Sequence, residues 1–315
     1  TIPRGRHPMA VNVYDTSVRV QSVSAACYDA DSGALLHETP LRGSGGWTWL
    51  GEVTPEDGWP EQALLEVTVL DETGQAWEPT QVRFTIAGEP VPAPVRGTDW
   101  PMLQRTPEHC GVSPDVVKPP FHLAWAHATG AAFGINSPIV VDGVVYVSVE
   151  NNTEPRLTVP AVVALDATTG EALWTYSMAR RTIRGTLAGS LEAICGLADD
   201  GTVFALDPTN GQVLWEQANL VPEPTWRELF TGSPIIDDGV LVAGTGHGLA
   251  AYDAREGTIL WQQRVVATGG RRWTHDPSPA IARDNVLLPW LSVHALLRQT
   301  GEAQWESVDR GAITF

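Results

Sequence analysis

The chain has 315 residues, 43% hydrophobic and 18% charged, long enough for two domains with substantial cores and too apolar to be disordered. Its formal net charge is −17, carried by both ends: residues 1–98 hold 6 basic and 13 acidic side chains, the remainder 14 and 24. This balance excludes a nucleic-acid backbone as the main partner, and no apolar run approaches the roughly 18–20 residues of a helical membrane span.

The 30 Gly, 24 Pro and 13 Trp residues predict an all-β chain of short strands, tight turns and repeated aromatic anchors. Cys27, Cys110 and Cys195 are odd in number and far apart, which gives neither a disulfide framework nor a metal-ligand spacing and predicts buried apolar thiols. No charged segment leading into an apolar one follows Thr1, so the chain reads as a processed or excised segment.

Residues 1–88 read as a β-sandwich of about seven strands. Val11 and Val13, then Val18 and Val20, alternate with polar neighbours, as half-buried strands require. Asp29-Ala-Asp-Ser-Gly33 and Asp71-Glu-Thr-Gly74 are turn sequences. Leu65, Val67 and Val69 share one face of a later strand, and Val82, Phe84 and Ile86 share one face of the last. Trp47 and Trp49 project from one strand face, either as a ligand-stacking surface or as core anchors. With no Cys–Trp–Cys pattern, an immunoglobulin-like reading concerns architecture only. Residues 89–98, with the prolines of Glu89-Pro-Val-Pro-Ala-Pro94, form an extended connector.

Residues 99–315 repeat. Gly170 to Trp174, Gly211 to Trp215, Gly257 to Trp261 and Gly301 to Trp305 each read Gly-x-x-x-Trp, with the tryptophans 41, 46 and 44 residues apart. Asp166, Asp207 and Asp253 stand four residues before the glycine, and Leu297 replaces the aspartate in the fourth copy and weakens that turn. Ser137-Pro138, Ser233-Pro234 and Ser278-Pro279 open apolar runs broken by Asp142-Gly143, Asp238-Gly239 and Asp284-Asn285, which are hairpin signals. Each copy predicts a four-stranded blade, with the tryptophan starting the outer strand and filling the wedge between neighbours.

Ala164-Leu-Asp-Ala-Thr-Thr-Gly-Glu-Ala-Leu-Trp174 and Ala205-Leu-Asp-Pro-Thr-Asn-Gly-Gln-Val-Leu-Trp215 resemble the tryptophan-docking repeat of pyrroloquinoline-quinone-type β-propellers, a repeat shared with BamB-like assembly factors. Residues 99–114 resemble the entry segment of such propellers, with 122–129 expected to follow as the outer strand that closes the ring. The resemblance implies seven or eight blades, so four units read as an incomplete propeller. The order of domains, with Gly46-Trp-Thr-Trp-Leu-Gly51 in the first, also resembles proteins that carry a calcineurin-like metallophosphoesterase domain ahead of a sandwich and a quinoprotein-like propeller.

No catalytic set accompanies the repeat. The adjacent cysteines and calcium cluster that the quinoprotein resemblance implies are absent, and no phosphoesterase block or His-x-His pair occurs. Gly244-Thr-Gly-His-Gly248 is a hairpin turn rather than a phosphate loop, since no helix follows it. The links from each outer strand to the next blade would share one mouth. They contain Arg180, Arg181, Arg184, Trp226, Arg227, Arg271, Arg272 and Trp273, with Arg156 in a neighbouring loop. Arginine forks and indoles there suit an anionic small ligand or a protein partner, and the competing reading pairs the arginines with Glu192, Glu228 and Asp276.

The expectation is therefore a non-catalytic binding or scaffold module without a bound cofactor, accessory to a phosphoesterase domain. The alternatives are a quinoprotein-like oxidoreductase fragment that takes pyrroloquinoline quinone with calcium, and a BamB-like assembly factor. A protein partner or further domain of the same chain is expected, and a cell-envelope or extracellular setting follows from the resemblance alone.

Overall fold

The computed structural model describes residues 2–13, 19–43, 48–87, 97–119, 121, 123–127, 129, 136–149, 162–178, 183, 185–218, 232–245, 248–264, 278–290 and 292–307. Every regular element among them is a β-strand. The chain divides into two units. The first comprises Thr1–Val95, Val117–Gly130 and Thr168–Gly170, and the second comprises Arg96–Val116, Ala131–Ala167 and Glu171–Phe315.

In the first unit β1 (His7–Asn12), β2 (Val20–Asp29), β3 (Leu35–Gly43), β4 (Thr48–Val53), β5 (Gln62–Asp71) and β6 (Thr80–Thr85) run in the order β1-β4-β3-β2-β5-β6. β3 belongs to two layers: Leu35–Leu41 pair with β2, while Arg42 and Gly43 pair with β4. The sheet thereby curls until Val11 and Val13 pack with Val23 and Ala25 of β2 and Val67 and Val69 of β5. Alternation within each strand is what supplies an apolar face for this closure. Cys27, Val53, Trp59, Ala63 and Ile86 form a second cluster.

Both expected turns are present. Asp29 Oδ1 accepts from the Asp31 and Ser32 amides, and Asp71 Oδ1 accepts from the Thr73 and Gln75 amides. The described residues hold six strands here, against about seven expected, and Val18 and Trp47 lie outside them. Trp49 packs against the β1–β5 core, as an anchor would.

The second unit holds four antiparallel four-stranded sheets, each in simple chain order. Blade one is β7 (Ile139–Val141), β8 (Val144–Ser148), β9 (Val162–Asp166) and β10 (Ala172–Tyr176). Blade two is β11 (Ala188–Gly189), β12 (Ile194–Leu197), β13 (Val203–Leu206) and β14 (Val213–Gln217). Blade three is β15 (Ile235–Asp237), β16 (Val240–Thr245), β17 (Gly248–Asp253) and β18 (Ile259–Arg264). Blade four is β19 (Ala280–Ala282), β20 (Asn285–Trp290), β21 (Ser292–Leu297) and β22 (Ala303–Glu306). All four carry buried alanine at the centre of the third strand, at Ala164, Ala205, Ala251 and Ala295, each paired with the tryptophan of the outer strand.

The tryptophans do not start the outer strands. Each lies two residues inside, after a bulge that leaves Leu173, Leu214, Leu260 or Gln304 unpaired. A bulge bends the strand and re-aims the next side chain, here over the following blade. Trp174 lies on Gly211, Trp215 on Gly257 and Trp261 on Gly301. Their Nε1 groups donate to the carbonyls of Pro208, Ala254 and Arg298, at 2.8, 3.0 and 2.7 Å. Each acceptor stands three residues before its glycine, so one turn supplies both the flat seat and the hydrogen-bond acceptor.

The seat must be glycine on two counts. Its φ is +71° to +74° in the three turns, and a Cβ at Gly257 would stand 2.5 Å from Trp215 Cδ2. The fourth turn closes despite Leu297, because Gly301 N–H donates to the Leu297 carbonyl at 2.7 Å and Leu297 N–H to that of Glu302. What it lacks is the carboxylate that Asp207 and Asp253 offer to nearby amides. In the first unit Trp125 covers Gly170, and His127 Nδ1 lies 3.0 Å from the Gly170 carbonyl oxygen. The described residues of 122–129 nevertheless form no strand.

Two hairpins sit as expected, at Asp142-Gly143 and Asp238-Gly239. In blade four the left-handed residue is Arg283, so the turn is Arg283-Asp284 and Asn285 already begins β20. Thr245 pairs with Gly248, which makes the Gly-rich stretch a hairpin. Cys27 and Cys195 are buried and Cys110 is exposed, which corrects the expectation of three buried thiols.

The glycine seat separates two costs. Gly239→Ala meets open space and is expected to lose only the left-handed backbone penalty of ~1–2 kcal/mol. Gly257→Ala adds overpacking against Trp215 and is expected to lose ~2–5 kcal/mol, both read by urea denaturation. Burial pushes the Cys27 thiol up to about 11 and the Cys195 thiol up as well. One thiol per native chain, Cys110, is thus expected to react with an aromatic disulfide reagent at pH 8, and all three after denaturation.

Candidate functional site

The inner strands of the blades are tied together at their N-terminal ends by hydroxyl groups. Ser137 N–H donates to Thr186 Oγ1 at 3.0 Å, Thr186 N–H to Ser233 Oγ at 2.9 Å, and Ser233 N–H to Ser278 Oγ at 2.9 Å. Thr186 and Ser233 thus each use the amide toward the next blade and the hydroxyl toward the previous one. Thr186, Ser233 and Ser148 beside them are buried. Asn136 Nδ2 donates to the Ser148 carbonyl and hydroxyl, and Ser148 Oγ donates to the Gly185 carbonyl. Amides near a strand end need partners when buried, and the sequence supplies them from the neighbouring blade.

Three of these positions are the Ser-Pro steps of the repeat. The fourth, Thr186, precedes leucine and carries no such signal; a hydroxyl residue two positions before the inner strand was the available clue.

Residues 99–111 run along the inner strands. Trp100 and Val140 exchange both backbone hydrogen bonds, Gly189 N–H donates to the Pro101 carbonyl at 2.7 Å, and Ile281 N–H donates to the Pro107 carbonyl at 2.7 Å. One short segment therefore satisfies inner-edge amides of blades one, two and four, and Met102 enters the core shared by blades two to four. To do this it turns back on itself through three non-glycine residues with positive φ: Gln104, Arg105 and His109. Arg105 Nε and His109 Nε2 are buried without a hydrogen-bond partner, and burial holds the His109 imidazole below its ordinary pKa.

The eight residues singled out for the mouth, Arg180, Arg181, Arg184, Trp226, Arg227, Arg271, Arg272 and Trp273, lie outside the described residues, as do Arg156, Glu228 and Asp276. What is described is the frame to which their links attach. Ile183, between Arg181 and Arg184 in sequence, is buried and bridged to Ala198. The three links lead into Thr186, Ser233 and Ser278, the three relay hydroxyl groups. Among the described residues no three His, Cys, Asp or Glu side chains come together to hold a metal ion. No helix among them is long and apolar enough to cross a membrane.

Removing one relay hydroxyl strands a buried amide, which costs ~1–3 kcal/mol. Ser233→Ala is expected to lower the urea midpoint accordingly, and Ser190→Ala, whose hydroxyl serves only a local turn, by much less.

Comparison with known proteins places this frame. The family described as outer membrane protein assembly factor BamB matches residues 122–225 and 160–312. BamB of Shewanella oneidensis is 31% identical over 142 residues, 41% of this chain and 33% of that protein. Quinohemoprotein alcohol dehydrogenase ADH IIB of Pseudomonas putida is 27% identical over 163 residues, 46% of this chain and 22% of that protein. The chain thus spans between about a fifth and a third of the length of these curated relatives. The crystal structure of quinohemoprotein alcohol dehydrogenase from Comamonas testosteroni superposes with a TM-score of 0.52 at 20% identity, covering 66% of this chain and 41% of that one, which shows a common propeller fold. With its docking tryptophans seated and more than half of its length matched, the chain belongs to the family described as outer membrane protein assembly factor BamB.

Proposed function

We propose that the chain is a protein-binding scaffold of the assembly-factor type, whose arginine- and tryptophan-bearing links dock an acidic segment of a partner. The observation that supports this most directly is the family match over the blades, together with a rigid hydroxyl-tied frame under each link. In a chain of net charge −17, collecting Arg180, Arg181, Arg184, Arg227, Arg271 and Arg272 in three links favours recognition of carboxylates, which guanidinium forks bind in pairs. Trp226 and Trp273 add flat apolar surface of the kind that anchors interfaces. A cell-envelope setting fits the description of the matched family.

The relatives favour this reading and a quinoprotein one over an accessory role beside a phosphoesterase. The dehydrogenase relatives are the specific observation behind the quinoprotein reading. The described residues do not offer the calcium donor set that such a site requires, and Cys27, Cys110 and Cys195 cannot form an adjacent pair.

Calorimetric titration separates the two. A poly-glutamate peptide is expected to bind saturably and a poly-glutamine peptide not to bind. The double variant Arg271→Ala/Arg272→Ala is expected to weaken the former at least tenfold, about 1.4 kcal/mol, with unchanged thermal stability. Saturable, calcium-dependent binding of pyrroloquinoline quinone with a visible absorbance, and no peptide binding, would replace the scaffold reading with the quinoprotein one.

A further inference from the structure

The curled sheet of the first unit ends in two edge strands, β1 and β6. The edge of β6 is paired only at its far end, where Ile2 lies beside Ile86 as a parallel bridge. Ile2 N–H donates to the Thr85 carbonyl at 2.8 Å, and the Ile2 carbonyl accepts from the Ala87 N–H at 3.0 Å. Ile86 N–H points the other way, to the Glu61 carbonyl at 2.8 Å. Backbone groups alternate between the two sides of a strand, so Gln81 and Arg83 turn their amides and carbonyls to the side that Thr85 uses. Among the described residues no backbone group meets them there. Burial follows the pairing: Thr80 to Arg83 are exposed, Phe84 and Thr85 are half-buried, and Ile86, beside Ile2, is 2% exposed.

Alongside the open stretch lies a cavity of about 410 Å³ whose walls include Met9, Val11, Leu65, Val67, Trp77 and Val82. The first five pack against the core around Val23 and Val69, so an apolar side chain entering the cavity would extend that core. Val82 reaches the cavity from β6 and is 52% exposed. Edge strands are commonly blunted by proline, a bulge or an inward charge. Between Thr80 and Phe84 there is no proline and no bulge, and Arg83 alternates with Val82 onto the outer face. Glu78 also lines the cavity, exposed and without an ion-pair partner among the described residues.

We propose that the open edge of β6 takes an extended segment of a protein partner as an added parallel strand, apolar at alternate positions and basic at its N-terminal end. The Ile2 pairing is the template. A segment continuing that line pairs its backbone with Gln81, Arg83 and Thr85 and turns the side chains opposite Val82 and Phe84 into the cavity. Because it runs parallel to β6, its N-terminal end lies beside Glu78. Residues 1–98 hold 6 basic and 13 acidic side chains, and both features favour a basic residue there. The site uses none of the link residues and asks for the opposite charge, so it stands independently of what the links recognise.

The test titrates the 315-residue chain with the fluorescein-labelled peptide Lys-Lys-Val-Thr-Val-Thr-Val and reads anisotropy. Saturable binding is expected. N-methylation of the central valine removes one N–H and keeps every side chain, and is expected to weaken binding roughly tenfold or more. Val82→Lys, which puts a charge into the cavity at an exposed position, is expected to do the same with an unchanged melting temperature. Glu78→Gln is expected to weaken binding about threefold and flatten its salt dependence. Val116→Lys, at a valine 79% exposed outside the cavity, is expected to leave binding unchanged. Absence of saturable binding, or equal affinity for the N-methylated peptide, would overturn the proposal without any change to the protein. So would a concentration-dependent dimer of the chain alone that Val82→Lys abolishes, since the edge would then belong to a second copy.

Discussion

Each seam between blades in this protein depends on an indole laid flat on a glycine. The contact solves two problems at once. A four-stranded blade cannot bury its own faces, and its outer edge splays away from its neighbour because strands radiate from an axis. A tryptophan fills the splayed end, removing roughly 150–250 Å² of apolar surface from water, an upper bound of roughly 4–6 kcal/mol per seam. The same side chain must also place its N–H, and the carbonyls of Pro208, Ala254 and Arg298 accept it from the turn that provides the glycine. The bulge ahead of each tryptophan, the left-handed glycine and the paired alanine on the third strand all follow from that one placement. A larger residue than Ala205 or Ala251 would lift the ring off its seat.

At the other end of each blade the seam is polar. There the hydroxyl relay joins Ser137, Thr186, Ser233 and Ser278, and Ile281 and Gly189 find backbone acceptors in the entry segment. The division of labour is physical. Near the axis the strands crowd together and leave no room for a bulky wedge, so short hydroxyl side chains carry the connection. The outer rim has room to fill, and tryptophan fills it.

Local patterns made the blades legible in the sequence. Gly-x-x-x-Trp needs only one turn and one strand, and alternation in Val11–Val13 or Leu65–Val69 declares a buried face without reference to distant residues. The contacts that escaped are those between residues far apart. Nothing near Pro107 announces that its carbonyl will meet Ile281, and Thr186 lacks the following proline that marks the other relay positions. The hairpin at Arg283-Asp284 slipped by one residue because Asp-Asn favours a turn as strongly as Arg-Asp does not, and strand register decided otherwise. Cys110 escaped for a related reason: its exposure is set by the path of the entry segment, which composition does not specify. For the arginines and tryptophans of the links, sequence supplies chemistry and the described frame supplies anchorage, while their arrangement falls outside the described residues.

That separation of frame from links bears on how one propeller repeat serves both alcohol dehydrogenases and an outer-membrane assembly factor. Side chains that make the seams point between blades and are used up by packing: Trp215 stacks on Tyr252, Cys195 faces Ala254, and the relay hydroxyls serve amides. None is left to meet a ligand. In the links between blades, the described Ile183 is likewise used by packing, buried and bridged to Ala198. A redox site needs donors held at fixed positions from several blades, whereas a docking face for an extended acidic segment needs only charge density and flat apolar area along one rim. The arginines and tryptophans of 180–184, 226–227 and 271–273 match the second demand by residue type. Similarity confined to the repeat thus transmits architecture rather than chemistry.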